Sequence, residues 1–163
     1  MLRNCVVLLL MCSAARADVD PFAALGIKDT PAGSTLQLVQ RLHPDGELRP
    51  IEASPLGYTQ YYEVMGDHRA FGGYPVRLTR YWFPKEDKLR RVGFVFGDVD
   101  SADVLRRIVA VLGANYRKTD RQDTVTYLWD TGAGSHVFLL IHNGGMTSVS
   151  LTVVGPGDRT PGL

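Results

Sequence analysis

Four histidines, one Ser-His dipeptide and several acidic clusters are the parts of this 163-residue sequence with the clearest capacity for chemistry. An imidazole can take up a proton near neutral pH or ligate a metal, and His43, His68, His136 and His142 are the candidates. None of them lies in an H-E-x-x-H or comparable metal-binding spacing. His136 and His142 bracket one β-type run, which puts them on one face about 20 Å apart, too far to share an ion. In Gly134-Ser135-His136 a hydroxyl precedes an imidazole. Neighbours on a strand point to opposite faces, however, and triad partners meet through the fold, so a hairpin turn is the better reading.

The acidic residues give no stronger signal. Asp98-Val99-Asp100-Ser101-Ala102-Asp103 alternates oxygen donors as a calcium loop does, but it lacks the glycine and the closing glutamate such a loop requires. Helix capping accounts for it, with Ser101 as N-cap and Asp103 in the first turn. His43-Pro44-Asp45 matches a tripeptide of J-domain co-chaperones, yet Gly46, Pro50 and β-type runs follow it instead of a second long helix, so it reads as a helix terminator. The residues therefore point to no catalytic group, no metal ligand set and no cofactor.

What stands out is a surface. In the run Tyr74–Phe83, period-two alternation places Val76, Leu78 and Trp82 on one face and Arg77, Thr79, Tyr81 and Phe83 on the other. If helices cover the first face, the second shows Arg, Tyr and Phe to solvent, residue types enriched in protein interfaces. Arg77, Thr79, Tyr81 and Phe83 are accordingly the expected partner-binding residues.

The elements that would hold this surface follow from pattern. Leu36, Val39 and Leu42 recur at helical spacing after Ser34 or Thr35, and Pro44 with Gly46 ends the helix. Val104, Leu105, Ile108, Val109, Val111 and Leu112 form the apolar side of a second helix that stops at Gly113. Strand runs are expected at Tyr58–Met65, Tyr74–Phe83, Leu89–Phe96, Val125–Asp130, His136–His142 and Thr147–Val154. Asn143-Gly144-Gly145 between the last two signals a tight hairpin, because Asn and Gly tolerate positive φ. The expected fold is α+β: an antiparallel sheet of about six strands with helices on one face, arranged as two αβββ repeats in units 34–97 and 101–155. At an offset of 66 positions, however, Trp129 falls opposite Glu63, so the inward faces of the two units disagree.

The ends of the chain are of a different composition. Arg3, the apolar run Cys5–Met11 and Ala15-Arg16-Ala17 have the order of an export signal, with Asp18 as the new N-terminus. The apolar run is well short of the roughly 20 residues that span a bilayer, so a membrane-spanning protein is not expected. Bulky Met11 before Cys12 argues against lipid attachment at that cysteine. Loss of the first 17 residues leaves 146, with 16 basic and 17 acidic side chains and no cysteine. That excludes disulfide scaffolds, thiol nucleophiles and Cys-ligated zinc, and the near-neutral charge argues against nucleic acid as partner. Residues 18–33 read as an N-terminal arm, and the Gly- and Pro-rich residues 156–163 as a tail.

Ile27-Lys28 leading into the short helix Leu36–Leu42, with a β-meander after it, resembles small exported bacterial domains of the β-lactamase-inhibitor-protein and outer-membrane-assembly-lipoprotein type. The resemblance implies short helices on one face of an antiparallel sheet and a role in binding proteins. The chain departs from that pattern in having one evident helix per unit and no lipidation site, and no functional residue carries across. The expected function is that of an exported, periplasmic, non-enzymatic module that binds a protein, as inhibitor, immunity-type protein or envelope-assembly partner. The rival readings are a small periplasmic hydrolase and a small-ligand carrier. N-terminal sequencing of the protein recovered from the cell envelope should begin at Asp18; an intact Met1 on a cytoplasmic product would defeat the export reading.

Overall fold

The computed structural model of the chain describes residues 20–66, 73–85, 87–132, 134–143 and 148–156. The expected signal segment 1–17, the cleavage point at Ala17/Asp18, Cys12, His68, the Gly144-Gly145 turn and the tail beyond Pro156 lie outside them.

Eight strands form one antiparallel sheet: β1 (Glu47–Pro50), β2 (Tyr58–Met65), β3 (Val76–Pro84), β4 (Arg91–Phe96), β5 (Arg117–Arg121), β6 (Thr124–Gly132), β7 (Ser135–His142) and β8 (Ser148–Val154). Among the described residues three helices accompany them, α1 (Pro21–Ala24), α2 (Leu36–Leu42) and α3 (Ser101–Leu112). The spatial order is β1-β2-β3-β4-β8-β7-β6-β5. Each half of the chain is thus a helix followed by a four-stranded meander, and the last strands of the two meanders, β4 and β8, pair at the centre. The strand count exceeds the expected six because β1 and β5 are the sheet edges. All residues of Glu-Leu-Arg-Pro and Arg-Lys-Thr-Asp-Arg are exposed, so neither strand carries the apolar alternation by which a strand is recognised. Charge and proline on such edges also discourage pairing with other chains.

The core lies on one face of this sheet. Tyr62, Tyr81, Val92, Val153, Val137 and Trp129 stand opposite one another in a row across six strands, each at most 3 % exposed. Phe94 and Leu151 are likewise paired and buried. The buried apolar residues of the helices, Phe22 of α1, Val39 of α2, and Val104 and Ile108 of α3, all join this one cluster. The helices therefore share a face, as one-sided strand alternation requires. The expected arm is part of the domain, since Phe22, Leu25 and Ile27 are core residues and α1 packs against β7 and β8.

Local signals explain where the helices begin and end. Thr35 caps α2 through a bond from the Leu38 amide, and Asp20 caps α1 through the Phe22 amide. In α3 the cap is Asp100, whose carboxylate accepts from the Ala102 amide at 2.9 Å, and not the expected Ser101, which is the first helical residue. Gly113 ends α3 at φ +82, a conformation costly for a residue with a Cβ, and its carbonyl accepts the Trp129 indole N–H at 2.9 Å. That bond fixes the C-terminal end of α3 to β6.

The faces of the two halves do correspond, but not at an offset of 66. Trp129 faces the core as Tyr62 does, whereas Glu63 points outward beside Arg80. Equivalent positions in β2 and β6 must therefore differ by an odd number. No helix among the described residues is long and apolar enough to cross a membrane.

Candidate functional site

Strand β3 decides which side chains the sheet offers to solvent. Val76 pairs with Phe96 and Leu78 with Val95, so Arg77 is one extra residue on β3 opposite a continuous β4. A bulge of this kind reverses the inside–outside phase of everything beyond it. Val76 remains in the core as expected, but after the bulge the core positions are Thr79, Tyr81 and Phe83, at 0 %, 3 % and 0 % exposure. Only Arg77 of the four expected binding residues is exposed. The assignment of Thr79, Tyr81 and Phe83 to an open surface is thereby corrected: they bind nothing from solvent while the domain is folded. Leu78 and Trp82, expected inside, lie on the outer face with Arg80.

The outer face is the side of the sheet that no helix covers among the described residues. Trp82 stands on it, near the end of β3. A Cβ at Gly93 would come within 2.7 Å of the Trp82 indole ring, so the glycine is what allows the ring to approach β4 so closely. Trp82 stands opposite Tyr61 on one side and Arg91 on the other. Arg80 bonds Glu63 through Nε at 2.6 Å, its guanidinium 5.3 Å from the centre of the Tyr61 ring. Arg91 stacks over Tyr58 at 5.2 Å. Tyr58 reaches this face through a second bulge, at Thr59, since Tyr58 pairs with Pro84 and Gln60 already with Phe83. Two bulges in adjacent strands thus bring Tyr61, Trp82, Arg80 and Arg91 together on this face, with Tyr58, 5 % exposed, buried beneath Arg91. Partly exposed Leu78, Val95 and Phe138 continue the face towards β7, where Leu140 is 37 % exposed.

The other candidate groups have structural roles. His43 is the C-cap of α2, and its Nε2 lies 3.0 Å from the Tyr81 hydroxyl. The Tyr62 hydroxyl donates to the His43 carbonyl at 2.6 Å, and burial pushes its pKa above the usual tyrosine value. Together these bonds tie the end of α2 to β2 and β3, and they give Tyr81 a polar partner inside the core. Ser135 and His136 do point to opposite faces: Ser135 is buried, and His136 lies on the outer face opposite Asp130. Its Nδ1 is 4.0 Å from the Asp130 carboxylate, beyond hydrogen-bonding distance. His142 shares that face, with Nδ1 3.2 Å from Thr124 Oγ1. Asp103 accepts from Tyr74 and pairs with Arg106 at 2.9 Å, and those two bonds hold its carboxyl below the usual carboxylate range.

Tyr81→Ala should cost about 3–5 kcal/mol in urea unfolding, the range for emptying a buried aromatic site. Arg77→Ala should stay within about 0.5 kcal/mol of the parent, as exposed positions do. An unchanged midpoint for Tyr81→Ala would return Tyr81 to the surface and refute the bulge. No protein-family model matches the chain, and neither a curated protein nor a solved structure matches it significantly.

Proposed function

We propose that the protein is an exported, non-enzymatic binding module that engages another protein through the uncovered face of its sheet. The observation that supports this most is the patch around Trp82: a partly exposed tryptophan with Tyr61, Arg80 and Arg91 beside it on the open face of the sheet. Trp, Tyr and Arg are the residues that dominate binding energy at protein interfaces, and they do so near the middle of a desolvated patch. An extended sheet also holds such groups in fixed relative positions, which lowers the entropy lost on association. The resemblance to β-lactamase-inhibitor-protein and outer-membrane-assembly-lipoprotein domains agrees with this reading, as does the export signal read in the first 17 residues. The partner-binding residues are then Tyr61, Arg80, Trp82 and Arg91, in place of Thr79, Tyr81 and Phe83.

Site-specific photo-crosslinking tests the reading. A benzophenone side chain at Leu78 or Leu140, on the open face, should give a discrete protein adduct in the cell envelope. The same group at Val111, exposed at 45 % on α3, should give none. Adducts from Val111 alone, or from all three positions alike, would remove the open sheet as the binding face.

A further inference from the structure

The two edges of the sheet differ in what they offer a neighbour. The Ile51 N–H bonds the Thr59 carbonyl at 2.9 Å, and these two residues continue the register in which Pro50 faces Gln60. Backbone groups alternate in direction along a strand, so those of Glu47 and Arg49 turn to β2 while the N–H and C=O of Leu48 turn away from the sheet. The nitrogen of Pro50 points the same way, where it has no hydrogen to leave unpaired. The open edge of β1 is thus short, and Leu48 is the residue of β1 that offers both a donor and an acceptor along it.

Apolar side chains are exposed at the same corner. Leu48 stands opposite Tyr62, on the helix side of the sheet, and is 44 % exposed. Leu42 ends α2 on the side of Leu36 and Val39 and is 39 % exposed. The next residue, His43, accepts the Tyr62 hydroxyl through its carbonyl, which brings the end of α2 to the strand that Leu48 pairs with. On the other face Glu47 and Arg49 form an exposed ion pair at 2.5 Å. A two-fold axis through Leu48 would set this leucine against its own copy and, on either side of it, Glu47 against the partner's Arg49. Strand β5 has no such centre. An axis through Thr119 sets Arg117 against Arg121, and an axis through any other residue of β5 sets a charge against its own copy.

From this pattern we infer that two copies of the protein pair antiparallel through β1, joining two eight-stranded sheets edge to edge. At Leu48 the two chains exchange their N–H and C=O groups, and the two leucines meet on the helix side, where Leu42 adds apolar surface. The Glu47–Arg49 pair of one copy lies head to tail with that of the other, so four charges alternate in sign around the axis. No excess of charge is required, and neither chain gives up its own pair. The same charges, with Pro50, turn away an unrelated strand, which would meet a short edge whose signs it does not complement. The inference is independent of the binding-module reading: pairing at this edge leaves the face around Trp82 open in both copies.

Sedimentation velocity of the purified protein tests it at concentrations from about 5 to about 500 μM, the range in which a small interface associates. The parent should pass from one chain to two as concentration rises. Arg49→Glu sets carboxylate against carboxylate across the axis, and Glu47→Arg sets guanidinium against guanidinium; each should raise the dimer Kd at least tenfold. An equimolar mixture of these two variants has opposite signs at every contact and should form a mixed dimer with a Kd within threefold of the parent's. The double variant Glu47→Arg/Arg49→Glu should pair with itself equally well. Urea midpoints close to the parent's, as exposed positions give, show that the variants are folded. A parent that stays monomeric at the highest concentration, or a dimer that tolerates both single reversals, overturns the inference. So do reversals that weaken the dimer and that neither the mixture nor the double variant restores.

Discussion

The pairing of β4 with β8 is the interaction on which the rest depends. Each half of the chain supplies a four-stranded meander with a polar edge strand, and either one alone would leave its last strand unpaired. Joining Arg91–Val95 to Ser150–Val154 in antiparallel register removes both inner edges and makes the buried rows continuous from β2 to β6. Phe94 against Leu151 and Val92 against Val153 then form the middle of one core, large enough for three short helices to cover. No disulfide is needed to hold such a domain. The apolar surface of those helices suffices for one face and not for two.

That one-sidedness gives the bulges at Arg77 and Thr59 their consequence. In a sheet covered on both faces a change of phase would exchange one buried set for another. Here it exchanges the core for the surface. Through the Arg77 bulge, Tyr81 enters the core with a hydrogen-bonding partner in His43, and Trp82 leaves it to lie on Gly93. Through the Thr59 bulge, Tyr58 comes to stand under Arg91. The aromatic patch is thus a product of backbone geometry as much as of residue type.

Much of the scaffold is legible in the sequence. The alternation of Val92, Phe94 and Phe96, and of Val149, Leu151 and Val153, identifies the core face because nothing interrupts those strands. The α3 stripe is equally direct, with Val104 and Ile108 buried as their spacing demands. The edge strands β1 and β5 leave no such trace, since a strand with no buried face has no reason to alternate. The binding face is misread for a more specific reason. Val-Arg-Leu-Thr-Arg-Tyr-Trp-Phe alternates plausibly in either phase, as Leu78 and Trp82 are no less apolar than Tyr81 and Phe83. Only pairing with β4 shows that Arg77 is an extra residue. A hint existed in Gly93, because a glycine amid Val, Phe and Phe signals close approach by another group, here the Trp82 ring.

The central claim is that Trp82 lies on an uncovered face while Trp129 is sealed beneath the helices. Iodide quenching of fluorescence in the single-tryptophan variants Trp129→Phe and Trp82→Phe tests it most directly. The account predicts strong quenching and a red-shifted emission from Trp82, and a blue-shifted emission almost indifferent to iodide from Trp129. A shielded Trp82 with an accessible Trp129 would mean that β3 runs without its bulge, and that the outer face described for this protein is its core.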